Sequence, residues 1–287
     1  MNEPTIRRSV IAGSWYPGTE AALRRALDGY FTHAAQPPVA GRLCGLIAPH
    51  AGYIYSGQTA AHAYQQLRGR SFRTVVVLAP SHRAWFDAPA VSAEDNYETP
   101  LGRIPVDHTL AKALATRIPL QRIYGDAEHA VEIQLPFLQY ILGDFHLLPI
   151  LLSTDDPDLP QRLAQALVEL NGLSPWAGGG LLLVASSDLH HIASYDEVVW
   201  RDRRVVDAVA AFDLAAVTSL LMGRDCTVCG RIPILTVLRA CRAMGANAVQ
   251  VLHQTNSGDV TGQRHPGEYT VGYMSAAIYE RTPQAQS

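Results

Sequence analysis

Short apolar runs of strand length, each closed by turn residues, recur along the chain and limit what it can fold into. Thr74–Ala79 (TVVVLA) is the clearest: it is β-branched and ends at Pro80. Leu43–Ala48, Phe145–Leu152 and Leu181–Ser186 are of similar length and read as buried strands. Helical patterns separate them, at Gln58–Leu67, Val131–Leu142, Pro157–Leu170, Asp196–Met222 and Ile232–Met244. Pro136 should kink or delay the second of these helices. Val249–Gln254 and Tyr269–Ile278 read as closing strands. Strands alternating with helices predict an α/β sandwich with a mixed, largely parallel sheet.

Composition narrows the class. The 287 residues are 48% apolar and 17% charged, which excludes a disordered or fibrous chain. They suit one domain over 1–287, with a polar tail from about Arg281. The linker-like stretches Ala34–Ala40 and Pro175–Gly180 do not divide two convincing cores. No apolar run approaches the ~18 residues of a membrane helix, and the N-terminus lacks a signal-peptide pattern. The net charge is −3, Lys112 is the only lysine, and no basic run exceeds two residues. That balance argues against a nucleic-acid partner. Four cysteines in a chain of this size read as free thiols in a cytoplasmic protein.

The histidines carry more information. One strand runs into Pro49-His50-Ala51-Gly52-Tyr53, a second into Pro80-Ser81-His82, and a third into Ser186-Ser187-Asp188-Leu189-His190-His191. In open α/β sheets ligands bind at the carboxyl ends of strands. If the three strands are parallel neighbours, His50, His82, Asp188 and His191 converge on one crevice. A single histidine at such a place reads as a loop residue bonded to backbone. Two at matched strand ends read as half of a metal site, to be completed by a carboxylate or a thiolate.

Other segments are weaker signals. Cys226-Thr227-Val228-Cys229-Gly230 is a lone CxxC, too few ligands for structural zinc and misplaced for a thioredoxin motif. The turn at Gly230 and the helix after it place Cys229 near a helix N-terminus, which favours the thiolate that binds metal. Glu128-His129-Ala130-Val131-Glu132 reads either as a polar edge of the crevice, with His129 and Glu132 meeting substrate, or as a solvated first helical turn. The glycine-flanked aromatics Trp15, Tyr16, Tyr53 and Tyr55 read either as pocket walls or as core.

Taken together, Ala12-Gly13-Ser14-Trp15-Tyr16-Pro17, Ala48-Pro49-His50-Ala51-Gly52-Tyr53, Tyr55-Ser56-Gly57, Pro80-Ser81-His82, Thr99-Pro100-Leu101-Gly102, Glu128-His129…Glu132, Ser186-Ser187-Asp188, Cys229-Gly230 and Ser257-Gly258-Asp259 resemble the Memo (mediator of cell motility) family over about residues 6–278. The resemblance implies a three-layer α/β sandwich like that of the LigB-type class III extradiol dioxygenases, which are non-haem Fe(II) enzymes. It implies one transition-metal ion held by His50, His82 and Cys229, with Fe(II) favoured and copper or zinc as alternatives. It also implies that His191 serves as acid/base and that Asp188 lines the site. The family pattern is Ser-Ser-Asp-Leu-Ser-His, so His190 stands where serine is usual, and which of the two histidines enters the site is left open. Cys226 is an addition that can pair with Cys229 under oxidation. Bacterial and archaeal members are often encoded beside a radical-SAM protein, which implies a shared pathway.

Three readings follow. The first is a mononuclear non-haem iron redox enzyme acting on a small aromatic or related substrate. The second is a non-catalytic protein that binds a metal or a phosphopeptide, as eukaryotic relatives are regarded. The third is a metal-dependent hydrolase with Glu132 or His191 as base.

Overall fold

The computed structural model describes residues 3–154, 156–173 and 180–281. Residues 175–179 of the second linker-like stretch and 282–287 of the polar tail lie outside the described residues. The chain runs through β1 (Ile6–Arg7), α1 (Glu20–His33), β2 (Gly41–Ala48), α2 (Tyr53–Gln65), β3 (Thr74–Pro80), β4 (Ala90–Ser92), β5 (Asn96–Thr99) and β6 (Gly102–Pro105). It continues through α3 (His108–Ala115), β7 (Gln121–Ile123), α4 (His129–Glu132), α5 (Leu135–Leu142), β8 (His146–Leu152), α6 (Leu159–Asn171), β9 (Leu181–Ser186) and β10 (His191–Ile192). It closes with α7 (Tyr195–Ala210), α8 (Leu214–Leu221), α9 (Arg231–Ala243), β11 (Ala248–Asn256), α10 (Ser257–Thr261) and β12 (Thr270–Arg281).

Nine strands form one mixed sheet in the order β10-β12-β2-β9-β3-β8-β4-β7, with β11 on β12. The centre, β2-β9-β3-β8, is parallel. β12 and β4 flank it antiparallel, against β2 and β8. A small second sheet joins β1, β5 and β6.

The apolar runs have both faces buried because the sheet is covered on both sides. In β3, Val75, Val77 and Ala79 join one core cluster while Val76 and Leu78 join the other. In β9, Leu182 and Val184 face one way, and Leu181, Leu183 and Ala185 the other. Helices α1, α2, α4 and α5 cover one face; α3, α6, α7, α8 and α9 cover the other. This is the three-layer sandwich expected from the sequence. Among the described residues no helix is long and apolar enough to cross a membrane.

Two boundaries differ from expectation. Helix α2 starts at Tyr53, five residues before the predicted start, because Gly52 ends the strand loop and serves as its N-cap. The helix expected over Val131–Leu142 is two helices, broken between Glu132 and Leu135. Pro136 falls in the first turn of α5, where its missing N–H leaves no helical bond unmade.

Leu183 is fully buried in the parallel centre of the sheet. Leu183→Ala should lower stability by about 2–5 kcal/mol, the usual range for a core leucine, as read by the midpoint of urea unfolding.

Candidate functional site

β2, β9 and β3 are adjacent and parallel, with Ala48 opposite Ser186 and Leu78 opposite Ala185. Their carboxyl ends therefore deliver His50, His82 and Asp188 to one crevice. They open onto a cavity of about 640 Å³ that also holds Trp15, Tyr55, His129, His191, Tyr269 and Tyr273.

Three imidazoles meet on its floor. One nitrogen from each of His50, His82 and His129 lies within 4.8 Å of the others. The His50 ring stands edge-on to the other two, 5.3 Å from His82 and 5.5 Å from His129 between centroids. His82 and His129 stack at 4.8 Å.

The surrounding hydrogen bonds choose which nitrogens stay open. Ser186 Oγ donates its single proton to Ala130 O at 2.6 Å and accepts from Gln134 Nε2 at 2.8 Å. At 3.0 Å from His50 Nδ1 it can only accept again, so Nδ1 carries the hydrogen and Nε2 keeps its lone pair, with the Cys229 thiol 3.0 Å away to donate to it. In the same way His82 Nδ1 donates to Glu128 Oε1 at 3.0 Å, leaving its Nε2 open. His129 Nδ1 is buried without an aligned partner, although Glu128 Oε1 lies 3.0 Å away.

At His50, His129 and His191 electrostatics favour the neutral ring, the form that binds metal. Burial, together with His129, His82 and His191, pushes the His50 pKa well down. Burial likewise lowers His129 to about 4, with His82 adding to it against the opposing pull of Glu128. Burial, His82 and His190 lower His191 to about 4. Burial alone would raise Glu128, but hydrogen bonds from the His82 ring and backbone hold it at about 2. Asp188 is raised to about 7 by burial, although its Oδ1 accepts from the backbone N–H groups of His50 and Ala51.

Residues 7–277 match the sequence profile of the family described as Memo-like protein. The match spans every residue of this floor. The chain belongs to the Memo family. A MEMO1 family protein of Methanothermobacter thermautotrophicus is 33% identical over 282 residues, covering 93% of this chain and 98% of the relative. One from Aeropyrum pernix is 35% identical over 289 residues, covering 95% and 99%. One from Methanococcoides burtonii is 32% identical over 275 residues, covering 95% and 100%.

In this Memo-family protein the sequence-derived site residues separate into groups. His50, His82, Asp188, His191, Trp15, Tyr55 and His129 all line the cavity. His191 faces it, whereas His190 turns to Asp202, 2.8 Å from its Nδ1. Cys229 Sγ lies 3.0 Å from His50 Nε2 but outside the group of three converging nitrogens. The helix α9 begins beside it as expected, yet its thiol is pushed up by burial and by the Asp188 carboxylate, which outweigh the bonds from Ser187 and Gly230. Cys226 is unpaired and lines a different cavity, so the structure holds no Cys226–Cys229 bridge.

Three expected pocket residues are not walls. Tyr16 and Tyr53 are buried in the core cluster behind the cavity, with hydroxyls bonded to Glu132 and to Ile133 O. Glu132 is fully buried and paired with Arg7. It also accepts from the hydroxyls of Ser9 and Tyr16 and from the backbone of Val10 and Ile11. Glu132 thus anchors the loop that carries Trp15, whose ring lies 4.3 Å from His129. Glu128 fits the polar-edge reading of its segment through its bond to His82, whereas nothing in the sequence marks Ser186 and Gln134 as supports of His50.

Glu132→Ala should cost about 3 kcal/mol in urea unfolding, the lower end for breaking a buried pair, because Arg7 keeps only Asp126, at 3.1 Å, as a carboxylate partner. Glu128 has its pKa depressed on folding. Its contribution, about 3 kcal/mol from the shift, is therefore present above pH 4.5 and is lost as pH falls towards 2. The stability gap between metal-free wild type and Glu128→Gln should close across that window in acid titrations followed by circular dichroism.

Proposed function

We propose that this Memo-family protein is a mononuclear non-haem iron oxidoreductase that uses O₂ on a small aromatic substrate. The observation that supports the reading best is the group of three converging imidazoles at the floor of an aromatic-walled cavity, two of them with Nδ1 engaged by hydrogen bonds that point Nε2 the other way. The donors fit a divalent transition ion. In this reading His50, His82 and His129 hold the ion, and Cys229 joins from beside His50 as a thiolate once its proton is displaced. A bound ion of this kind supplies Lewis acidity and a one-electron couple. Thiolate ligation extends the choice to copper and zinc.

The chain's own residues do the rest. Trp15, Tyr55, Tyr269 and Tyr273 give flat walls for an aromatic ring. His191 is neutral above about pH 4, and its Nε2 is buried without a partner, so it can take the proton of a substrate hydroxyl. Asp188 ties down the backbone at His50 and Ala51 and so sets the direction of the His50 ring. Four free thiols suit a reducing compartment, and a cytoplasmic location belongs to this reading.

Elemental analysis of protein purified without oxygen tests the ligand set. Wild type should carry near-stoichiometric iron, lost in His50→Ala and His82→Ala and reduced in His129→Ala and Cys229→Ala. His191→Asn should keep the iron but lose O₂ uptake with aromatic diols by about 100-fold or more, the scale of a lost general base. Zinc-loaded protein that is active without air would move the reading to hydrolysis. Metal-free wild type that binds phosphopeptides would move it to an interaction protein.

A further inference from the structure

A second cavity, of about 340 Å³, opens beside α7 and the turn that leads into α9. None of its residues lines the first cavity. Its walls include Cys226, His190, Arg201, Arg204 and Arg224, with Asp225 as the one carboxylate among them. Asp202 stands behind His190. Its Oδ1 accepts from His190 Nδ1 at 2.8 Å and from the His190 backbone N–H at 3.0 Å, and both side chains are buried. The contact depends on Gly272, where a Cβ would fall 1.7 Å from Asp202 Oδ2.

With Nδ1 committed to Asp202, the other ring nitrogen of His190 remains for Cys226, which lines the same cavity. The order is carboxylate, imidazole, thiol. These groups form a line rather than a chelate: among the described residues the three imidazoles of the first cavity are the only converging metal donors. A linear relay of this kind orients a base beside a nucleophile. The arginines supply the charge. Arg201 is tied to Glu197 at 2.7 Å and to the Asp225 carbonyl, yet its buried Nε has no partner. Arg204 lies over the Trp200 ring at 4.8 Å.

We propose that Cys226, His190 and Asp202 form a second reactive site, in which the thiol attacks a small anionic electrophile held by Arg201, Arg204 and Arg224. The Cys226 sulfur forms a bond to the electrophilic carbon. The bond from that carbon to its leaving group breaks, and the leaving group departs with the electron pair. The thiol proton passes to His190, and Asp202 stabilises the resulting imidazolium. Burial opposes a charge on His190, but Asp202 and Cys226 outweigh it and raise its pKa, which holds the transferred proton on the imidazole.

Iodoacetate and iodoacetamide are the probes, the first anionic and the second neutral, with peptide mass spectrometry reading each cysteine of the full chain. Both replace iodide on the same carbon, so their ratio isolates the effect of charge. Cys226 should react about tenfold or more faster than Cys229, and it should prefer iodoacetate. The surface variant Arg204→Gln/Arg224→Gln should reverse that preference with the fold intact. Asp202 acts as a positioning residue, and Asp202→Asn should slow the alkylation of Cys226 and change the shape of its pH profile, while the preference for iodoacetate stays. Cys226 labelled no faster than Cys229, or an iodoacetamide preference indifferent to the arginines, would overturn the proposal.

Discussion

The parallel pairing of β2, β9 and β3 is the constraint on which the rest depends. Parallel ladders align strands in one direction, so their carboxyl ends finish at one edge of the sheet. Three loops leaving that edge must share a crevice. The register places Ala48 beside Ser186, so a hydroxyl from one strand end reaches the ring of His50 two residues beyond the other. A shift of register by one residue would turn Ser186 to the opposite face and remove the group that fixes the His50 tautomer.

Around that edge the polar groups are layered by burial. His50, His82 and His129 occupy the floor. Ser186, Gln134 and Glu128 stand behind them and decide which nitrogens are open. Glu132 lies one turn further along the chain and faces away, towards Arg7. Two carboxylates four residues apart thus have separate duties, one orienting an imidazole and the other holding a loop. The break in the helix after Glu132 lets Gln134 reach both Pro49 O and Ser186 Oγ.

Much of this was legible in the sequence. The buried strands β3 and β9 declared themselves because covered sheets need uninterrupted apolar runs, and Leu181–Ser186 matched its prediction to the residue. The strand-then-histidine pattern located the cavity, because strand ends are where α/β sheets bind ligands. Helix α1 went unread although Thr19 caps it and Leu23, Leu27 and Phe31 recur every fourth residue; its many charges masked the stripe. Tyr16 and Tyr53 take the core side of their two readings and Glu132 neither of its own, because residue type and spacing do not tell the front of a pocket from its back. That distinction depends on Arg7, 125 residues away in sequence from Glu132. The parting of His190 from His191 was likewise set by a distant residue, Asp202 on α7.

β12 shows what such alternation achieves. Val271 and Tyr273 look into the large cavity, while Gly272 between them leaves room for Asp202 behind the small one. Across the ladder His191 pairs with Val271, and its neighbour His190 faces the other way. One thickness of pleated backbone therefore works as a party wall between two polar compartments. Each compartment can change its side chains without passing through the other, since the period of two assigns odd and even positions to different rooms. Gly272 is where the wall is thinnest on the small room's side: any side chain added there would fall on Asp202.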